Sequence, residues 1–418
     1  AFLELLALTG LAIALPAYGL ASRNTEVFIN LRPSAINVVL LGIATLLIPP
    51  AVLLAVEWIV GRFAPRVRRP LHAAFLAVLF ALFAVRLLRE VFHLGVVPNL
   101  ALVVVTTAGF TALTLRFAGM RTWLRLVAVV PVGALVLCLA ASPLTPVLWG
   151  GADQPIGATT IRTPHRLVWV VLDEFPLTSI LDGKGAVDRT LFPQFAALAD
   201  TSTWYRNSTT VAPFTFAAVP AMLSATTPRD GTTPAVAANY PNNAFIALSG
   251  RYRLHVHEAL TRLCPASLCT PTTRVTRGRT GRLVSTLASL WWDGLDPQPR
   301  GKGLSALQGF LPTDADPTLT SQQFIDALKP NPPGPRPWFD FLHVLLPHEP
   351  WRYDQNLRVV SDGPPRAGLD GQARWTDRAA AENGREYHLR QAQAADTVIG
   401  QLRAKLTALG AWDDSVVV

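Results

Sequence analysis

Asp173 and Glu174 stand side by side at the end of an apolar run, in the stretch PHRLVWVVLDEFPLTSILD. Thr215 opens a second apolar run in NSTTVAPFTFAAVPAMLSATTP, directly after Pro213 and Phe214. His348 follows a third, in WFDFLHVLLPHEPWRY. Carboxylates, a hydroxyl and an imidazole are donors for a divalent cation and partners for proton transfer. Each also has a plain structural reading. Asp173 can cap the turn after a strand, Thr215 can cap its helix, and His348 can be a loop histidine packed beside Trp351 and Tyr353. His343, five residues before His348, is a weaker candidate for the same work. A threonine hydroxyl does not ionise unaided near neutral pH, so a nucleophilic Thr215 calls for a metal held partly by Asp173 and Glu174. Zn²⁺ or Mn²⁺, as one or two ions, suits this donor mixture.

Those residues need strands and helices to place them. RLVWVVLD reads as a buried strand, FPQFAALAD as a short helix, STWYRNST as a strand by alternation, and 214–225 as a helix. YRLHVHEA and WFDFLHVLL read as further strands, 375–409 as a long helix and SVVV as a last strand. Alternating strands and helices predict a doubly wound α/β sheet, in which ligands bind beyond the carboxyl ends of strands. Asp173, Glu174 and the PHEPWRY segment occupy such ends. His255 and His257 alternate along one strand and read as structural. Tyr387, Gln391 and Asp396 fit either a site wall or an amphipathic helix. WWDG, 291–294, reads as packing or bilayer contact, and 293–336 as an irregular insertion.

The chain has 418 residues and a net charge of +9. Residues 1–150 carry 11 Arg or Lys against 4 Asp or Glu, so most of the excess lies between hydrophobic runs and is no nucleic-acid footprint. Five runs, 1–22, 36–61, 71–92, 99–117 and 122–142, approach the length needed to span a bilayer, and Pro49-Pro50 marks a kink in the second. Four further runs after the first argue against a signal peptide. Basic loops at 62–69 and 116–125 predict an amino end inside and a carboxyl-terminal domain outside. The expected domains are a five-span region, 1–143, a Pro/Gly-rich linker, 144–164, and an extracytoplasmic α/β domain, 165–418. Both ends of the chain are expected to be cut. Arg86, Arg89, Glu90 and His93 gather near the outer end of the third run, as an interfacial anchor or a grip on an anionic headgroup. Cys138 lies within the fifth run. An exported compartment favours a disulfide between Cys264 and Cys269, with a metal pair as the alternative.

Five spans, a linker, VVLDEFP, RNSTTVAPFTFAAVPAMLS and FLHVLLPHEPWRY together resemble the membrane-anchored, sulfatase-like branch of the alkaline phosphatase superfamily. The architecture is similar to lipoteichoic acid synthases and lipid A phosphoethanolamine transferases, over most of the chain and most specifically at 165–225 and 338–353. The resemblance implies an alkaline-phosphatase-like α/β domain. It also implies an acidic metal ligand at Asp173 with Glu174 as a possible second, a Thr215 nucleophile followed five residues later by Pro220, and substrate contact at His348. The family's late Asp-His metal pair would fall just past Val418. The Cys/Ser-x-Pro-x-Arg motif of formylglycine sulfatases is absent, which argues against sulfate-ester hydrolysis by that route. The implied function is transfer of a phospholipid-derived head group to a cell-envelope glycan or lipid, by a multi-pass protein of the bacterial plasma membrane. Hydrolysis by a phosphodiesterase, and a degenerate scaffold, are the alternatives. A transporter is disfavoured because Glu4 and Glu57 are few ionisable residues for a transport path.

Overall fold

The structure, a computed structural model, describes the chain apart from residues 93–94, 151–158, 229–232, 270–278, 294–315, 361–374 and 376, and the side chains of Arg89, Glu90, Arg279 and Asp293. Its contacts divide it into two compact units.

The first unit begins with α1 (Phe2–Arg23), whose middle turn, Gly10–Ala14, is a π-helix. There follow α2 (Thr25–Leu31), α3 (Ala35–Phe63), α4 (Arg68–Phe92), α5 (Val96–Arg116), α6 (Ala118–Ala140) and α7 (Leu144–Trp149). Five of these, α1, α3, α4 as far as Leu88, α5 and α6, are long and apolar enough to cross a membrane, which marks a membrane protein. The π turn brings α1 tight against α6, where a side chain at Gly10 would collide with Pro131. α1 packs on α3, α4 and α6 and is the most buried of the five. α3 runs helical through Pro49 and Pro50 and leaves Ile36, Leu40, Ile43 and Leu47 exposed, an apolar stripe suited to lipid. The first residues of the expected linker form α7 instead; 151–158 lie outside the described residues.

One polar group ties four of these helices. The His72 ring on α4 lies between Glu57 on α3 (Nδ1 to Oε1, 2.7 Å) and Glu4 on α1 (Nε2 to Oε2, 2.9 Å). Arg125 on α6 donates to the other Glu4 oxygen at 2.9 Å. Both glutamates are buried. Each ring nitrogen of His72 thus faces a different buried carboxylate, which fixes the ring between two helices. His72→Ala is expected to leave two buried carboxylates short of a partner and to cost about 3–5 kcal/mol. Thermal denaturation of the full chain in detergent measures this.

The second unit holds β1 (Arg166–Asp173), α8 (Pro193–Thr201), α9 (Thr215–Ser224), α10 (Ala244–Leu248) and β2 (Arg253–His257). After β2 the chain returns to the first unit as α11 (Arg279–Asp293), packed on α1 and α2. The second unit resumes with α12 (Pro317–Asp326), β3 (Trp338–Pro347), α13 (Arg378–Ala408) and β4 (Ser415–Val417). The sheet is wholly parallel, in the order β2-β3-β1-β4.

Residue parity divides its two faces. Leu167, Trp169, Val171, Phe339 and Phe341 pack with Val219 and Leu223 of α9 and Phe245 of α10. Val168, Leu342, Val344 and Leu346 pack with Phe324 of α12 and Val398 and Leu402 of α13. Helices therefore cover both faces. The chain from β1 reaches β2 by α9 and α10 on one face, and the chain from β3 reaches β4 by α13 on the other. The chain leaving β1 first lays α8 against α13 and only then reaches α9, so it passes over the carboxyl ends of adjacent β1 and β3, the crevice position of such sheets. At the opposite end, wholly buried Arg166 donates to Asp340 at 2.8 Å, and His255 pairs with the other Asp340 oxygen at 2.9 Å while stacking on Phe324. His255 thus has an acidic partner, supplied by the neighbouring strand. Asp340→Ala is expected to cost about 3–5 kcal/mol, because it leaves the Arg166 guanidinium buried and unpaired. Denaturant unfolding followed by near-UV circular dichroism reads that loss.

Two expectations for this unit need correcting. STWYRNST forms no strand; Trp204 packs instead into a local cluster with Phe175, Phe192 and Phe195. Residues 293–336 are not irregular throughout. Asp316 accepts from the amides of Thr318 and Leu319, Pro317 follows it, and α12 then lays Phe324 and Ile325 on the sheet.

Candidate functional site

The sequence places Asp173 last in β1, on the same face as α9. The β1–β3 register shifts after Leu172, where the partner jumps from Val344 to Pro347. The next residue, Glu174, has a left-handed backbone with φ 55°. That conformation is unfavourable for a residue with a Cβ, and such strain is held where surrounding structure dictates it. It turns the chain sharply off the strand, leaving Asp173 buried and Glu174 at the surface.

Thr215 Oγ1 donates to Asp173 Oδ1 at 3.0 Å. The helix-capping reading of Thr215 does not hold, because Phe214 is the N-cap residue and Thr215 the first helical one. Its hydroxyl is thus turned to the strand end, at a helix terminus whose dipole favours negative charge. The other Asp173 oxygen, Oδ2, is buried without a hydrogen-bond partner. His343, on the same face of β3, puts Nε2 3.9 Å from it. His343 is fully buried, and neither ring nitrogen has a hydrogen-bond partner. Burial pushes its pKa down and the nearby His348 adds to this, against the pull of Asp173, so the ring is held neutral.

Glu174 departs from its expected place beside Asp173. Its carboxylate lies 3.4 Å from His348 Nε2. The other ring nitrogen, Nδ1, is 2.5 Å from the Glu349 carbonyl oxygen, which fixes the tautomer and ring plane. Gln391 of α13 holds the whole loop. Its Oε1 accepts from the amides of Arg352 and Tyr353, and its Nε2 donates to the carbonyls of Pro347 and His348. Gln391 is buried, so these four bonds give it a definite role that periodicity alone left open. Asp396 instead accepts from the first amides of α8, and Tyr387 stacks under Arg390.

The remaining candidates lie apart from this crevice. Cys264 and Cys269 form a disulfide, in a loop whose amides at Leu263 and Cys264 are bound by buried Glu258. Cys138 is a buried free thiol within α6. Arg86 donates to the Trp291 carbonyl rather than standing open to headgroups; His93 and the side chains of Arg89 and Glu90 lie outside the described residues.

Among the described residues no three His, Cys, Asp or Glu side chains come together at metal-binding distance. What the crevice brings together is an unpartnered carboxylate oxygen, a hydroxyl bonded to the same carboxylate and a buried imidazole 3.9 Å from it. Comparison of the chain with protein-family models, with curated proteins and with solved structures gives no match.

Two outcomes are expected. Gln391→Leu keeps the volume but strips four backbone groups of their partner, and is expected to cost about 2–4 kcal/mol, read by denaturant unfolding. His388, bonded to Ser179 at 3.0 Å, has a pKa lowered by burial and by Arg385. Its unfolded form binds a proton first, so its contribution is whole above the ordinary histidine value of about 6.5 and is lost as pH falls below it. His388→Gln is expected to flatten that part of the stability profile between neutral and mildly acidic pH.

Proposed function

We propose that this protein is a membrane-anchored phosphotransferase of the sulfatase-like kind, which moves a phospholipid-derived head group onto a cell-envelope glycan or lipid through Thr215. The observation that carries the reading is the hydrogen bond from Thr215 Oγ1 to Asp173 at the β1–β3 crevice. A hydroxyl at a helix amino terminus, beside a carboxylate with a second buried oxygen left over, is built to accept a phosphoryl group.

Asp173, Thr215 and His343 would hold a divalent cation, Zn²⁺ or Mn²⁺. Such an ion polarises the phosphoryl group and lowers the pKa of the hydroxyl.

In the first half-reaction Thr215 Oγ1 forms a bond to phosphorus and its proton passes to Asp173 Oδ1. The bond from phosphorus to the lipid alcohol breaks, and His348 Nε2 protonates the leaving oxygen. Glu174 stabilises the imidazolium beforehand. In the second half His348 takes the proton of the acceptor hydroxyl, whose oxygen attacks phosphorus, and Thr215 leaves with the proton from Asp173. Tethering to a bilayer raises the effective concentration of a lipid donor. The basic loops support a second unit on the outer side of a bacterial plasma membrane.

Hydrolysis is the second reading. The Glu174–His348 pair activates water as readily as a sugar hydroxyl, and product analysis, head group on a glycan or free in buffer, separates the two.

Thr215→Ala is expected to lower turnover by at least about 10³-fold and to abolish a phosphate-bearing adduct seen by intact mass in the parent. Full turnover in this variant would remove Thr215 as nucleophile. Asp173→Asn is expected to lower turnover and bound-metal content together, measured by elemental analysis.

A further inference from the structure

α11 belongs by sequence to the second half of the chain but by packing to the membrane unit. Its buried face, Leu283, Thr286 and Leu290, lies against the end of α1 and against α2. It is held at both ends. Near its start, Asn37 Nδ2 donates to Thr280 Oγ1 at 3.2 Å. Near its end, Arg86 donates to the Trp291 carbonyl and stacks over the Trp291 ring, 5.0 Å from its centroid.

Those two anchors fix the tilt. Asn37 is in the first turn of α3, and Arg86 is in the last turn of the apolar part of α4. Both therefore stand at the end of the bundle away from the basic turn between these helices. From the Glu57–His72 contact, Asn37 lies about 30 Å up α3 and Arg86 about 21 Å up α4. Between Thr280 and Trp291 the helix itself rises about 16 Å. The two anchors thus differ in depth by about 9 Å over that rise, so the axis lies closer to the membrane plane than to the bilayer normal.

The outward face carries Gly281, Val284, Ser285, Ala288, Ser289 and Trp292, all exposed, with Trp292 at 69%. An apolar stripe of Val284, Ala288 and Trp292 at helical spacing, ending in indole at the depth where spans finish, has the chemistry of the lipid boundary. We propose that α11 is an in-plane membrane helix, seated in the bilayer interface with Val284, Ala288 and Trp292 against lipid. The inference rests on the five apolar helices crossing a membrane and not on the phosphotransfer reading.

The test uses the full chain in nanodiscs and compares tryptophan emission of the parent with that of Trp292→Phe, so that the difference isolates Trp292. Lipids brominated near the headgroup are expected to quench that difference at least about twofold more than lipids brominated near the chain end, with aqueous iodide ineffective. Arg86→Gln, which frees one anchor, is expected to lose most of the shallow quenching. Quenching of Trp292 by iodide and not by brominated lipid would overturn the proposal. So would protection from both quenchers that grows with protein concentration, since a second copy would then cover the face.

Discussion

The hydrogen bond between Thr215 and Asp173 is the contact around which the second unit is organised. It requires that β1 end where it does, that the chain turn off at once through a left-handed Glu174, and that α9 start at the same height on the same face. The parity of β1 sends its odd residues to the α9 side, so Asp173 and His343 arrive there by register. A one-residue slip of β1 would deliver Leu172 to the crevice and bury Asp173 among α12 and α13. The hydrophobic sheet therefore specifies the polar site, and the buried Arg166–Asp340–His255 group at the other end helps fix that register, since it joins β1, β2 and β3 at single positions.

Much of this was legible in the residues. Runs such as RLVWVVLD and WFDFLHVLL are apolar on both parities, which is the mark of strands covered on two faces, and the five long apolar stretches are equally plain. α12 was legible too, through Asp316-Pro317 ahead of Phe324 and Ile325, but the surrounding prolines and glycines masked it. STWYRNST alternates as a strand does, yet alternation cannot say whether a neighbouring strand is present to complete the ladder. Partners far apart in the chain were beyond reach: His255 finds Asp340 85 residues later, and Gln391 finds the His348 loop 43 residues earlier. Glu174 was expected beside Asp173 because the two are adjacent. Only the backbone angle shows that adjacent side chains diverge here and that Glu174 serves His348.

The membrane unit solves a different problem with the same economy. Glu4 and Glu57 read in isolation are costly residues in an apolar setting. His72, unremarked in the sequence because it lies close to a basic loop, joins them into one hydrogen-bonded group with Arg125. Four helices meet there at the end near the basic loops, while α11 fastens two of them at the other end. Polar contacts at one end and indole and amide contacts at the other supplement a small apolar core of Leu5, Leu8, Leu76, Leu79, Phe110 and Leu124.

The return of α11 to the membrane unit also means that the two halves of this protein are not separable at the linker. Severing the chain after α7 would release a fragment that still carries Leu283 and Leu290 with their seat on α1 and α2 removed. A soluble version of the second unit has to be made by excising an internal loop as well as the leading helices.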